Sequence, residues 1–236
     1  MDRIKEYLKK HDIELTQTME QQFHDYYKLL ITWNEKMNLT AITDYDLVVT
    51  KHFIDSLSLI EAVDLNTRNT MIDIGTGAGF PGIPLKIVFP HLKVTLLDSL
   101  SKRIQYLKQV IEELSLFDIE ALHGRAEDYA KEAQYREQYD ICVSRAVANI
   151  STLSEYCMPY IRVGGIFTPH KSGIIEDELE KGMKAIKILG GYLYNTKYFE
   201  LDNTEIKRSI IVIKKIENTN AKYPRKAPLP SKKPLL

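Results

Sequence analysis

Apolar and polar positions divide the chain into parts with different periodicities. In the first sixty-odd residues, apolar side chains recur every three or four positions, as on one face of a helix. They are Phe23, Tyr26, Leu30, Trp33 and Met37 in one segment, and Phe53, Leu57 and Ile60 in a second segment over about residues 46–63. Thr16 and Thr18 are candidate N-caps of the first segment, and Asn38-Leu39-Thr40 ends it. The pattern predicts an N-terminal helical cap over residues 1–66.

Short apolar runs alternate with amphipathic segments over residues 67–217. The predicted strands are 71–74, 93–97, 119–122, 139–143 and a segment from Gly164-Gly165 to Phe167. Helices are predicted over 81–89, 126–130, 150–160 and 176–189, and another begins at a cap formed by Ser99 or Ser101. Two final strands, 192–199 and 206–213, follow one another without a helix. We therefore expect an α/β fold with a mostly parallel sheet, helices on both faces and a C-terminal antiparallel hairpin.

Composition restricts the function only weakly. The 236 residues contain 32 Lys and Arg and 32 Asp and Glu, so overall charge indicates no polyanionic partner. Cys142 and Cys157 are too few for a disulfide framework, and we find neither a signal core nor a membrane span. We expect a cytoplasmic protein.

The last segment, residues 218–236, has its own composition. It contains four of the nine prolines and no acidic residue, which predicts an extended, weakly ordered arm. The arm is compatible with binding of an RNA backbone and equally with a merely solubilising role. Its five cations are Lys222, Arg225, Lys226, Lys232 and Lys233.

A glycine-rich loop follows the first predicted strand. Gly75, Gly77 and Gly79 permit a sharp turn and a close approach to a ligand, a geometry that dinucleotide and S-adenosylmethionine (SAM) sites share. Pro81 and Pro84 remove two backbone N–H groups from the first turn of the next helix, where a pyrophosphate would need donors. No Lys-Ser/Thr pair follows, which excludes a P-loop.

Acidic residues lie at or just beyond the ends of the first three strands. Asp73 lies beside the loop, Asp98 can accept ribose hydroxyl protons, and Ala126-Glu127 lies where an adenine ring would be placed. SAM is a cation, so acidic residues can lie close to it. An NAD site would account for Asp98 equally well, but it would not need the acids after the third strand. Each acid is also compatible with a solvated loop residue or a helix N-cap.

The residues after the fourth strand bear on the chemistry. The Asn/Asp-Pro-Pro-Tyr element of amino-group methylases is absent, and Ser144-Arg145-Ala146 stands in its place. Cys142 and Cys157 lie in apolar surroundings and are predicted to be core residues. Without a base or nucleophile, the methyl acceptor should already be nucleophilic, as guanine N7 is. Arg145 is compatible with holding the base or the cofactor, and with a surface ion pair.

Two weaker signals remain. His52 and Asp55, three residues apart on a helix, are compatible with a facing pair at a site or with a plain helix-surface pair. Lys171, at the end of the fifth strand, is compatible with a phosphate contact or with a solvated lysine.

Several motifs together resemble the bacterial RsmG methyltransferases, also called glucose-inhibited division protein B. They run in order over nearly the whole chain. The matching segments are Trp33-Asn34, Asn38-Leu39-Thr40, His52, Asp55-Ser56-Leu57, residues 73–84, Leu97-Asp98-Ser99, Lys102-Arg103, residues 123–128, Ser144-Arg145-Ala146, Gly164-Gly165, Tyr223-Pro224-Arg225-Lys226 and residues 232–235.

This resemblance implies an enzyme that transfers a methyl group from SAM to guanine N7 in the decoding-region stem-loop of 16S rRNA. It implies the seven-stranded methyltransferase (Rossmann-like) sheet. It also implies cofactor contacts at Gly75, Phe80, Ala126-Glu127 and Arg145. One departure from the family is His170-Lys171-Ser172, where Leu-Lys-Gly is usual.

These observations give the following predicted site. Cofactor-binding residues are Asp73, Gly75, Gly77, Phe80, Asp98, Ala126, Glu127 and Arg145. Substrate-binding residues are Arg145, Lys171, Arg225 and Lys226. No metal and no catalytic group is assigned, and the partner is 16S rRNA or a small-subunit precursor, bound by a monomer. The alternatives are an NAD-dependent oxidoreductase and a non-catalytic RNA- or ribosome-binding module on the same fold.

Overall fold

The N-terminal region of the computed structural model is helical, as predicted. The structure describes residues 1–145, 147–201 and 204–235. The first helices are α1 (Asp2–Lys9), α2 (Gln17–Met37), α3 (Tyr45–Val48), a π-helical turn (Val49–Ile54), α4 (Asp55–Leu57) and a 3₁₀ turn (Ser58–Glu61). The Thr16 side chain accepts a hydrogen bond from the Met19 amide, and Asn38 ends α2 in the left-handed conformation. Among the described residues, no helix combines the length and apolarity needed to cross a membrane.

Strands and helices then alternate. The strands are β1 (Thr70–Ile74), β2 (Lys93–Asp98), β3 (Ile119–His123), β4 (Tyr139–Arg145), β5 (Ile161–Ser172), β6 (Gly191–Glu200) and β7 (Lys207–Lys215). The helices are α5 (Gly82–Val88), α6 (Ser101–Glu113), α7 (Ala126–Tyr129), α8 (Ile150–Cys157), α9 (Glu176–Ile188) and α10 (Leu229–Lys232), with a 3₁₀ turn (Met158–Tyr160) after α8.

The strands form one seven-stranded sheet in the order β3-β2-β1-β4-β5-β7-β6. The first five strands are parallel, and β7 runs antiparallel to both β5 and β6. This confirms the predicted α/β sheet and its terminal hairpin. The order reverses between β1 and β4, and ligands of open parallel sheets bind beyond the carboxyl ends of the strands at such a point.

Two apolar cores flank the sheet. One joins the N-terminal helices to the sheet, since Phe23 and Phe53 belong to the same buried cluster as Met71 and Val143. The other packs α8 and α9 on the opposite face. The region predicted as a cap therefore has no core of its own, and its side chains reach the carboxyl edge of the sheet.

Two local predictions were wrong. Neither Ser99 nor Ser101 caps α6: the N-cap is Leu100 without a side-chain bond, and the Asp98 carboxylate accepts the Leu100 amide instead. Strand β5 begins at Ile161, before Gly164, because Ile161 pairs with Tyr139 of β4.

The prediction of an extended terminal arm was also wrong. Residues 219–235 contain helix α10 and are held against α8 by hydrogen bonds. The strongest tie joins Arg225 to Glu155 of α8. Four prolines and five cations resemble the composition of disordered segments, but buried partners on α8 outweigh that tendency.

Candidate functional site

The glycine loop after β1 has the conformation that its composition predicts. Gly75, Gly77 and Gly79 have φ values of +70°, +63° and +97°, which other residues rarely adopt. The amides of Gly75 and Thr76 donate to the Leu97 carbonyl at 2.8 and 3.2 Å, which ties the loop to β2. A Cβ atom at Gly75 would lie 2.6 Å from Val147 Cγ2, so a side chain there would require Val147 to shift.

Asp73 lies beneath this loop. Its Oδ2 atom accepts hydrogen bonds from Thr76 Oγ1 at 2.7 Å and from the Gly82 amide at 2.9 Å. Its Oδ1 atom has no partner within the described residues. Complete burial raises the pKa of Asp73 to about 6, although the two donors oppose that shift. The structure thus places Asp73 outside the cleft as a brace for the loop, not as the cofactor contact that was predicted.

Asp98, at the end of β2, faces the cleft. Its Oδ2 atom accepts from the Gly77 amide at 2.9 Å and from Arg103 Nη1 at 3.2 Å, and its Oδ1 atom accepts from Leu100. The carboxylate is 3% exposed, so it can meet a ligand only in the cleft. Asp98 both positions the loop and presents acceptor oxygens beside it.

Two connected cavities form the cleft at the carboxyl edge of the sheet. The first, here the cap lobe, has a volume of about 420 Å³, and the second, here the α7 lobe, about 280 Å³. They share Gly75, Asp98, Ser99 and Val147. The cap lobe adds Leu39, Thr40, His52, Thr76, Gly77, Ala78, Phe80, Arg103 and Arg145, and the α7 lobe adds Ile74, Leu97, Gly124, Arg125, Ala126, Glu127 and Tyr156. Six of the predicted cofactor residues besides Asp98 therefore meet in one cleft: Gly75, Gly77, Phe80, Ala126, Glu127 and Arg145.

An aromatic and cationic stack forms one wall of the cap lobe. The His52 ring stacks on Phe80 with centroids 4.7 Å apart and planes 20° apart, and Arg145 lies 5.0 Å from the Phe80 centroid. His52 Nε2 lies 2.8 Å from Thr40 Oγ1. Burial, helped by the nearby Arg145 charge, lowers the pKa of His52 to about 4, so the ring is neutral at pH 7.

Asp55 holds two arginines behind this wall. It binds Arg145 Nη1 at 2.9 Å and Arg208 Nε at 2.5 Å, and it is only 5% exposed. His52 and Asp55, proposed from sequence as a facing pair, both contact Arg145, with His52 Nδ1 3.5 Å from Nη2. The ion pairs fix the guanidinium of Arg145 in the cleft, as expected for a paired buried charge.

His170, where the RsmG family usually has leucine, lies beside this cluster. Neither of its ring nitrogens has a hydrogen-bond partner in the described part of the chain. Burial lowers the pKa of His170 to about 4, and Asp55 only partly offsets that effect. The imidazole is therefore neutral at pH 7.

The structure does not support two of the predicted RNA contacts. Lys171 Nζ donates to the Ala148 carbonyl and to Glu178 Oε1, both at 2.6 Å, so it braces the loop that carries Val147. The Arg225 guanidinium binds the carboxylate of Glu155, which is wholly buried. Both charges are already neutralised within the protein. Lys226 is exposed and remains a candidate RNA contact.

Both cysteines are core residues, as predicted. Cys142 and Cys157 are completely buried, and burial raises the pKa of the Cys142 thiol. A buried thiol with a raised pKa is a poor nucleophile. No group of three or more potential metal ligands occurs in the part of the chain that the structure describes.

Sequence reasoning missed several side chains of the site or its support. Thr40, Arg103 and Val147 line the cap lobe, and Arg208 shares Asp55 with Arg145. Thr40 and Arg103 fall in motifs of the family resemblance, so a signal existed for both. Val147 and Arg208 carry no sequence signal, because only the fold brings them to the cleft. Ala146, the last residue of the Ser-Arg-Ala motif, lies outside the described residues.

Most of the chain matches one known protein family. Residues 19–210 match the family model described as rRNA small subunit methyltransferase G. Relatives with the name Ribosomal RNA small subunit methyltransferase G include one from Lachnoclostridium phytofermentans, 51% identical over 97% of this chain and 92% of that protein. Another, from Staphylococcus aureus, is 50% identical over 99% and 97%.

Solved structures share the fold at low identity. TYW2 of P. horikoshii, in complex with MeSAdo, aligns with a TM-score of 0.54 over 69% of this chain and 61% of that one, at 11% identity. TYW2 of M. jannaschii, in complex with AdoMet, aligns with a TM-score of 0.51 over 63% and 70%, at 13% identity. From the family match and the full-length relatives, the chain belongs to the rRNA small subunit methyltransferase G family.

Proposed function

We propose that this protein transfers a methyl group from SAM to N7 of a guanine in the decoding-region stem-loop of 16S rRNA. The observation that carries the proposal is the two-lobed cleft around Asp98, with acids in one lobe and a neutral histidine, an aromatic face and an arginine in the other. The names of its relatives support the ribosomal RNA target. We propose that it acts as a cytoplasmic monomer, with residues 67–217 as the methyltransferase domain and residues 1–66 as the cap.

The donors at the start of α5 fit SAM better than a dinucleotide. The Gly82 amide is taken by Asp73, the Ile83 amide by the Gly79 carbonyl, and Pro84 has none. A pyrophosphate at this helix terminus would find no free N–H group in the first turn. This arrangement argues against the NAD-dependent alternative.

The cleft residues divide naturally between the ends of SAM. Asp98 is placed to accept hydrogen bonds from the ribose hydroxyls, and Ala126 with Glu127 line the lobe suited to the adenine ring. The Phe80 face, with Gly75 and Gly77, lines the lobe where the methionine end would lie. When bound, SAM supplies a methyl group on a sulfonium centre.

The acceptor side needs positioning more than proton transfer. Guanine N7 has a lone pair and no proton, so its attack requires no base. Arg145, held by Asp55, projects donors into the cap lobe, where they can bind the edge of a base. The neutral His52 ring extends the apolar wall beside Phe80. The wall and the guanidinium together would orient the base toward the methyl group.

A methyl-transfer assay tests the proposal. Radiolabelled SAM is mixed with the protein and with either naked 16S rRNA or small subunits from a strain that lacks the modification. We expect label in 16S rRNA, mapped to one guanine by chemical cleavage at 7-methylguanosine. Absence of label in every substrate, despite SAM binding, would favour the non-catalytic module.

Calorimetric titration with SAM and with NADH, side by side, separates the remaining alternative. We expect heat of binding at a single site with SAM and none with NADH. The opposite result would favour an oxidoreductase.

A further inference from the structure

The C-terminal segment, residues 218–235, crosses the outside of α8 and is tied at its start to the connection before β4. Arg136 donates to the carbonyls of Thr219 and Tyr223, at 2.6 and 3.0 Å. The Thr219 amide donates to Glu137 Oε1 at 2.7 Å. Arg136, on the chain that leads from α7 into β4, thus holds the first residues of the segment.

The middle of the segment is clamped to α8 by one ion pair. Glu155 is completely buried, and its carboxylate accepts three kinds of bond from Arg225: from the backbone amide at 2.8 Å, from Nε at 2.9 Å and from Nη2 at 2.7 Å. A forked contact of this kind fixes direction as well as distance. A buried carboxylate without its partner would be strongly unfavourable, so the clamp cannot easily open.

The end of the segment is bound to the same helix. Thr152 Oγ1 donates to the Pro230 carbonyl at 3.1 Å, and Ser151 Oγ donates to the Leu235 carbonyl at 2.6 Å. Together with Glu155, these side chains attach the segment along both turns of α8. The contacts form a strap over a helix of only eight residues.

Helix α8 forms part of the cofactor cleft. Tyr156, the neighbour of Glu155, lines the α7 lobe with Ala126 and Glu127. Ser231 of the strap lies near this side chain: it lowers the pKa of Tyr156, although burial has the larger effect and raises it. Tyr160, just after α8, donates to the Ala126 carbonyl at 2.7 Å. The strap and the wall of the α7 lobe are therefore connected through adjacent residues.

We propose that the C-terminal segment is a strap that sets the width of the α7 lobe, and that Arg225 is a positioning residue for SAM. Arg225 acts through Glu155 and Tyr156 and does not contact the RNA. The proposal rests on the proposed function, since it takes SAM as the occupant of the cleft.

The test compares full-length Arg225→Gln with Lys222→Gln, which removes an exposed charge from the same segment. The Kd for SAM is measured by calorimetry, the Kd for 16S rRNA by filter binding, and KM and kcat by methyl transfer. We expect Arg225→Gln to raise the Kd and KM for SAM about tenfold, with kcat at saturating SAM and the Kd for RNA within about twofold. Lys222→Gln should leave SAM binding unchanged.

Two further variants separate positioning from loss of stability. Leu114→Ala removes a buried side chain at the C-terminal end of α6, away from both lobes, and should lower Tm without changing the Kd for SAM. Ser231→Ala removes a hydroxyl near Tyr156 from an exposed position of α10 and should weaken SAM binding a few-fold at unchanged Tm. Arg225→Lys, which keeps the charge without the fork, should restore part of the affinity.

The outcomes are distinct. If Arg225→Gln and Ser231→Ala bind SAM as the wild type does, the strap has no role in the cleft. If Arg225→Gln weakens RNA binding and spares SAM binding, Arg225 is an RNA contact. If the wild-type protein itself fails to bind SAM, the proposed function fails, and the strap proposal falls with it.

Discussion

Gly75 is a residue of the loop at which a side chain would be strained. A side chain there would require φ near +70° and would place Cβ 2.6 Å from Val147. We predict that Gly75→Asp abolishes measurable SAM binding, because the backbone is strained, Val147 must shift within the cleft, and a charge enters it. Calorimetric titration measures the effect.

Gly173 offers a matched control. It has φ of +69°, but nothing lies within 4 Å of a Cβ atom there. Gly173→Asp thus carries the same backbone strain without the collision and should bind SAM normally. Wild-type SAM affinity in Gly75→Asp would show that the site has been misplaced.

His170 should make the protein sensitive to acid. Its pKa of about 4 in the folded state lies below the ordinary value of 6.5. Below pH 6.5 the His170 side chain is protonated in the unfolded chain but not in the folded protein. The free energy of unfolding therefore falls as pH drops toward about 4, by at most about 1.4 kcal/mol per pH unit. His170→Leu should remove this loss, so that its free energy of unfolding changes less between pH 7 and pH 4.5, by about 2 kcal/mol.

Chemical denaturation at the two pH values measures that difference. The Asp73 carboxyl, with its pKa raised to about 6, acts in the opposite direction: its contribution is full below its ordinary value of 3.8 and is lost as pH rises through 6. Since Asp73 is present in wild type and variant, its effect cancels. His24→Leu, at an exposed histidine, is the control and should keep the wild-type pH dependence. An unchanged pH dependence in His170→Leu would contradict the prediction.

At the scale of elements, helix α2 supports the glycine loop. The buried Tyr26 hydroxyl donates to the Ala78 carbonyl at 2.6 Å. We predict that Tyr26→Phe lowers the free energy of unfolding by about 1–2 kcal/mol, because it leaves a buried carbonyl without its donor. It should also weaken SAM binding several-fold, since the loop loses a support.

The neighbouring Tyr27 provides the comparison. Its hydroxyl donates to the Thr43 carbonyl at 3.0 Å near the surface, where water can replace it. Tyr27→Phe should therefore change both quantities little. Equal effects of the two substitutions, in denaturation and in SAM titration, would mean that α2 does not support the loop.

Helices could be predicted where a regular apolar pattern was bounded by a residue that stabilises a helix terminus. Helix α2 begins at Thr16 and ends at Asn38 because both residues stabilise a terminus locally. The cap of α6 was not predictable, because the Leu100 amide is bound by Asp98 across the end of β2. A serine near the start of a helix is only one of several hydrogen-bond acceptors that can bind the first amides of that helix in the folded chain.

At the scale of the whole molecule, net charge is zero, so RNA affinity must depend on local clusters. Lys226, Lys232 and Lys233 are exposed on the strap. We predict that replacing all three by alanine lowers the slope of log K for RNA against log salt by about 2, since each phosphate contact contributes about 0.7–0.9. Binding measured at several salt concentrations gives the slope.

Helix α9 offers a control with the same change in charge. Lys181, Lys184 and Lys187 are exposed there, and their replacement by alanine should leave the slope nearly unchanged. SAM affinity should be unaffected in both triple variants. An equal slope for the wild type and the strap variant would mean that the three lysines of the strap do not contact RNA phosphates.

The sequence by itself determined most of the helices and strands, the parallel sheet with its hairpin, and the part of the cleft formed by the glycine loop and the acids. These follow from periodicity, from the glycine loop and from acids at strand ends, because parallel strands bring their carboxyl ends to one edge. Only the tertiary structure decided the partners of the charged groups. Asp55 meets Arg145, 90 residues away, and Arg208, 153 residues away, while Arg225 meets Glu155. Charge pairing depends on distance in space, and the pattern along the chain carries no record of such distances.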